Sequence, residues 1–168
     1  MKKQFSVLKK SLLLFALALA TMPAFSQSNL LTGSWRLTAA DKILPDGKQV
    51  ADYGADPRGI AIFTADGHYV IEIFRSEHLK FASADRAKGT PNEYRDAVLS
   101  ASCHFGTYTV DETKGTITFH TERASYPNWD ETTRVSSFKL EGNKLSWHSS
   151  PRPDGTTPVS VFSRMPSK

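Results

Sequence analysis

Four side chains in this sequence are placed for proton chemistry: His104, Tyr108, His120 and Glu122. His120 and Glu122 lie two apart, so on a strand they share one face. A carboxylate beside an imidazole favours the imidazolium and could poise it as an acid–base pair. Two orientations are open. If Ile117 and Phe119 point inward, the default, His120 faces water. If a bulge near the mouth of the fold inverts the register, His120 and Glu122 enter the interior as the catalytic pair. Tyr108 shares a face with Gly106 and Val110, and with His104 if that strand begins early enough. Gly106 leaves space that suits either a bend or a ligand cavity. Cys103 is the only cysteine. In the apolar-rich run 101–105 it reads as a small buried core residue. Adjacent strand residues point to opposite faces, so His104 would not serve it as a base. The five histidines show no His-x-His or His-x-x-x-His spacing, and there is no Cys-x-x-Cys, phosphate loop or Gly-x-Ser-x-Gly elbow. No metal site and no cofactor are expected.

The elements that must carry these residues are short strands separated by turn residues. Strands are predicted at 33–40, 59–64, 68–74, 106–110, 116–123, 132–140, 144–148 and 157–164. Trp35, Leu37 and Ala39 alternate along the first. Asp66-Gly67, Lys114-Gly115 and Glu141-Gly142-Asn143 mark hairpin turns, and Pro45-Asp46-Gly47 marks another turn. On 68–74 the set Tyr69, Ile71 and Ile73 is bulkier and more apolar than His68, Val70, Glu72 and Phe74, so it is assigned inward. One stretch departs from this pattern. Thr90-Pro91-Asn92-Glu93 is a capping box with proline at the first helical position, followed by Tyr94, Val98 and Leu99 at helical spacing. A helix over about 91–102 is predicted, covering one mouth or flank of the sheet. Short turns imply sequential antiparallel pairing.

The chain has 168 residues, 21 Lys+Arg and 17 Asp+Glu. Lys2, Lys3, Lys9 and Lys10 fall in residues 1–26, which hold no acid, so the remainder is formally neutral at 17 against 17. A neutral domain lacks the field that would attract phosphates, which excludes a nucleic-acid partner on charge grounds. The same segment carries the apolar run 11–20, then Pro23 and Ala24-Phe25-Ser26. This is the pattern of a signal peptide cut after Ser26, giving a periplasmic or secreted protein. No later run is long enough for a membrane-spanning helix. Residues 27–168 make one domain of about 140 residues, expected as a monomer.

Eight meandering strands are most simply closed as an all-β, up-and-down antiparallel barrel with one short helix inserted. A two-sheet sandwich would need long crossings that the turns do not supply. The strand 31–37 carries Gly33-Ser34-Trp35, the Gly-x-Trp that opens lipocalin barrels. Pro45-Asp46-Gly47, Pro57-Arg58-Gly59, Phe63-Thr64-Ala65-Asp66-Gly67, Gly106-Thr107-Tyr108-Thr109-Val110-Asp111, His120-x-Glu122, Tyr126-Pro127-Asn128-Trp129, Phe138-x-Leu140-Glu141-Gly142-Asn143-x-Leu145 and Arg164 follow in order. Over roughly 30–164 the chain resembles the bacterial and fungal lipocalin-like domain family, one of the calycin-type small barrels. The resemblance implies a small closed barrel, with Arg164 from the last strand crossing the Trp35 ring. It implies no particular ligand. Family members often pair histidines where this chain has Phe119-His120, so a site using two is not implied here.

Three functions fit such a barrel. The first is an exported binder of a small apolar or amphipathic molecule, held by Tyr69, Ile71, Tyr108, Phe119 and Trp129. The 126–129 loop would then sit at the mouth, with Tyr53 and Tyr94 as further aromatic candidates. The second is a small-barrel isomerase, cyclase or dehydratase using His120 with Glu122, or Tyr108. The third is a filled structural barrel. A cavity of ~300 Å3 or more argues against the filled barrel. A His–carboxylate or His–Tyr pair inside it would raise the enzyme reading.

Overall fold

The structure, a computed structural model, describes residues 29–166. The predicted signal segment lies outside the described residues. Nine strands follow: β1 (Gly33–Ile43), β2 (Gln49–Ala51), β3 (Arg58–Phe63), β4 (His68–Phe74), β5 (Ala101–Asp111), β6 (Thr116–Ala124), β7 (Thr133–Glu141), β8 (Lys144–His148) and β9 (Thr157–Arg164). One helix, α1 (Pro91–Leu99), stands between β4 and β5. Each strand from β3 onward pairs antiparallel with the next, and β1 pairs with both β3 and β9. The ring therefore closes with eight strands, as the meander implies. β2 is an extra strand that pairs only with the last residues of β1.

Two bulges adjust which side chains enter the barrel. In β1, Leu37 pairs with Phe162 and Ala39 with Val161, so Thr38 is the additional residue. Trp35 and Leu37 point inward before it, and Ala40 rather than the expected Ala39 is buried after it. In β6, Phe105 pairs with Arg123 but Gly106 with Thr121, so Glu122 is the additional residue. Gly106 is required there: a Cβ would run into the His120 carbonyl oxygen and the Glu122 nitrogen. The space beside Gly106 is thus taken by β6 backbone and is a bend, not a cavity.

The helix begins as its capping box dictates, with Thr90 accepting from the Glu93 amide and Glu93 from the Thr90 amide. It ends three residues before the expected 102. The reason is competition from the sheet: Ala101, Ser102 and Cys103 pair with Phe74, Ile73 and Glu72. The helix buries none of its own residues, and Val98 and Leu99 are each 53% exposed. Its apolar stripe does not pack onto the barrel as the spacing suggested.

The base of the barrel is filled. Trp35, Phe63, Tyr108, Leu145 and Phe162 are at most 1% exposed. Arg164 lies 4.0 Å from the Trp35 ring centroid, and its Nη1 and Nη2 donate to the carbonyls of Thr32 and Leu30. Trp35 Nε1 donates to the Leu31 carbonyl at 2.8 Å. A charged group closes the base, yet every bond it makes is to a fixed acceptor.

Candidate functional site

Above this base, toward the end where the 52–57, 125–131 and 149–156 segments cross, the interior opens into a cavity of about 300 Å3. Its floor is aromatic. Phe119 lies 5.9 Å from Trp147, and Trp147 stacks on Phe162 at 4.6 Å. Ile71, Ile73 and Val159 add apolar wall. Tyr53 and Trp129 stand at the rim, with Ser102, Ser136 and Ser160 between them.

A polar chain is sunk into one side of this cavity. His104 Nδ1 is 3.0 Å from the Tyr69 hydroxyl, which is 3.2 Å from Thr121 Oγ1. Arg134 Nη2 donates toward the same Thr121 oxygen at 3.5 Å. Thr121 is 3% exposed, and its hydroxyl can accept from Arg134 while either donating to or accepting from Tyr69. The direction of the chain follows the His104 tautomer: Tyr69 donates to a bare Nδ1 or accepts from a protonated one. His104 Nε2 meets no protein hydrogen-bond partner among the described residues. Burial, assisted by the Arg134 charge, pushes the His104 pKa down to about 3, so the ring is neutral across the physiological range. Burial also raises the Tyr69 hydroxyl above its ordinary value, with Thr121 and Arg134 opposing, so Tyr69 keeps its proton.

Two arginines line the cavity, Arg152 and Arg134, and the polar chain involves Arg134. Its Cζ lies 4.6 Å over the Trp129 ring, and its Nε is fully buried with no hydrogen-bond partner. Among the described residues, no carboxylate lies within 4 Å of it. Burial lowers its pKa, with Tyr69 opposing, but an arginine stays charged under these conditions. The mouth is latched separately. Asp52 is held by Arg152 at 2.7 Å and Lys42 at 3.1 Å. Burial works to raise its pKa, but the hydrogen bonds and charges of these two cations prevail and lower it.

Trp129 is aimed by its loop. A short 3-10 turn, Pro127–Trp129, is closed by Thr132 Oγ1 donating to the Trp129 carbonyl, and Asp130 accepts from the Ala124 amide. The indole meets His104 edge-on at 6.2 Å and Tyr126 at 5.6 Å.

The residues singled out from sequence divide in two. Ile71, Phe119 and Trp129 line the cavity, and Tyr69 reaches it through His104. Tyr108 does not: it packs edge-on to Phe63 at 4.9 Å in the base, with its hydroxyl donating to the Thr64 carbonyl. His120 and Glu122 are exposed on the outer surface, and His120 meets Thr133 at 3.0 Å. The β6 bulge exists but falls at Glu122, after His120, so it cannot turn His120 inward. Cys103 is half-buried on the outer face, opposite Glu72, rather than in the core. Burial, with Glu72 adding to it, raises its pKa, which makes it a poor thiolate. Tyr94 belongs to the helix, packing on Phe81 and bonding Gly89 and Arg86.

Arg134 and Thr121 were not anticipated. The signal was present in parity: Phe138 and Leu140 face inward, which puts Ser136 and Arg134 on the same side. Val135 is then outside, 51% exposed, so arginine and valine occupy the sides opposite to their polarity. A larger depression, about 480 Å3, lies outside the barrel between α1 and residues 75–81. It is lined largely by exposed charges such as Glu77, Lys80 and Arg95, and none of the buried polar chain reaches it.

No curated protein matches the sequence. Among solved structures, a lipocalin-like protein from Bacteroides uniformis is similar at 16% identity, covering 82% of this chain and 100% of its own, with a TM-score of 0.43. A mutant of the fluorescent protein UnaG is similar at 11% identity, covering 81% and 96%, with a TM-score of 0.36. Residues 32–161 match the lipocalin-like domain, most of the chain, and the protein therefore belongs to the lipocalin-like domain family.

Proposed function

We propose that this protein is an exported barrel that holds a small amphipathic molecule in its interior. The observation that carries the reading is the cavity of about 300 Å3, closed below by aromatic rings and rimmed by Tyr53 and Trp129. An aromatic floor with polar and charged groups gathered around it suits a molecule with one apolar and one polar end. That volume stands at the threshold that argues against a wholly filled barrel. Export rests on the lysine-flanked apolar run and Ala24-Phe25-Ser26. A mature N-terminus at Gln27 on protein from the native host supports it, and an intact Met1 counts against it.

The enzyme reading draws on one observation, the buried His104–Tyr69 pair. It is the weaker of the two. A base with a pKa of about 3 is badly matched to proton abstraction near neutrality. A substrate whose turnover fell about 100- to 10,000-fold on His104→Gln would reverse that order.

Tryptophan emission tests binding directly. Trp129 and Trp147 line the cavity, whereas Trp35 is buried in the base. Titration with fatty acids and aromatic polyketides should change the emission of the wild type, and less so that of Trp129→Phe. If no compound alters emission, the filled structural barrel is the surviving account.

A further inference from the structure

The polar wall of the cavity offers donors and little to receive them. Arg134 carries a buried Nε–H with no partner, and His104 Nε2 beside it meets no protein group. An unsatisfied buried donor costs about 1–3 kcal/mol, and nothing within the protein offsets it at Arg134 Nε. Two acids line the same cavity and neither pairs with Arg134: Asp52 is held by Lys42 and Arg152, and Asp41 accepts from Gln49 Nε2. Arg134 is also kept in place without a ligand, its plane over Trp129 and Nη2 toward Thr121. The position is pre-organised, so an incoming anion need not order the side chain.

From this geometry we propose that the ligand is a compact apolar monocarboxylate whose carboxylate is received by the Arg134 guanidinium beside His104 while its apolar body lies on Phe119 and Trp147. This rests on the binding reading above and names its chemical class. The site matches a carboxylate in three respects. Two oxygen acceptors answer the fork of donors that a guanidinium carries. One negative charge answers one unpaired positive charge. The neutral imidazole adds no second cation that would demand a dianion.

The test compares acids with their isosteric amides, which keep shape and lose charge. Isothermal titration uses 2-naphthoate and decanoate against 2-naphthamide and decanamide. In the wild type the acids should bind about 10- to 100-fold more tightly, the range of a charge-assisted hydrogen bond. Arg134→Met should bring the acid-to-amide ratio to about one, and Arg134→Lys should recover only part of it. The wild-type ratio needs no variant, so it stands even where Arg134→Met folds poorly. Amides binding as well as acids, with both unaffected by Arg134→Met, overturns the carboxylate assignment and leaves interior binding intact. No heat and no change in tryptophan emission with any of the four compounds overturns both.

Discussion

The two ends of this barrel use arginine in opposite ways. At the base, Arg164 lies over Trp35 and its guanidinium is bonded to two carbonyls. Toward the mouth, Arg134 lies over Trp129 in a similar stack, but its Nε is left unpartnered. The pairing of cation and indole is repeated while the satisfaction of the cation is not. A half-buried guanidinium with its bonds made supports a closed end, whereas one with a buried N–H left unmet costs stability at its own position. On the proposed reading, the filled base serves folding and the hollow mouth half serves binding.

Mutations at the base should act on stability alone. Trp35→Ala removes a fully buried ring and should cost about 3–5 kcal/mol, read as a lowered denaturation midpoint. An unchanged melting temperature would place the fold's support elsewhere. The mouth half should be where pH acts. The folded state holds His104 near 3, against an ordinary value of 6.5, so the unfolded chain binds the extra proton between those limits. Stability should therefore fall as pH drops from 6.5 toward 3, by at most about 1.4 kcal/mol per pH unit, and be full above 6.5. His104→Gln should flatten that slope. Denaturant titrations across the interval check it, and an equal slope in the variant would remove His104 as the cause.

Smaller effects sharpen the boundary between the halves. Asp52→Asn breaks the latch to Lys42 and Arg152 and should cost about 1 kcal/mol at pH 7. Because the Asp52 pKa is depressed, its stabilising contribution is present above the ordinary carboxylate range and lost as pH falls through the lowered value. Wild type and variant should converge at that acid limit. His120→Ala, on the outer surface, should change stability by less than about 0.5 kcal/mol and leave binding alone. A large binding defect there would mean the ligand sits outside the barrel.

The sequence made the base far easier to read than the mouth. Strand alternation, Gly-x-Trp and the turn glycines place Trp35, Phe119 and the antiparallel order, because apolar side chains mark the inward parity they obey. Those cues weaken in the mouth half. Arg134 was overlooked because a polar residue on the inner face looks like an outward one unless parity is carried in from Phe138 and Leu140. Alternation gives the inward face of Tyr108 but not its height in the barrel, which puts it in the base rather than the cavity. The bulges at Thr38 and Glu122 add single residues with no compositional mark, and the first of them moved burial from Ala39 to Ala40. The short strand β2 needed only the edge left by an extended β1, which a pattern of turns does not announce.

The division between the ends is tested most directly by one paired measurement on Arg134→Met: its melting temperature with and without 2-naphthoate. The account predicts that the ligand-free variant melts at or above the wild-type temperature, since an unpartnered buried donor has been removed, and that the upward shift caused by 2-naphthoate in the wild type is lost. A variant that melts several degrees lower, yet is still shifted upward by 2-naphthoate as the wild type is, would show that Arg134 supports the fold and not the ligand, and would contradict the account.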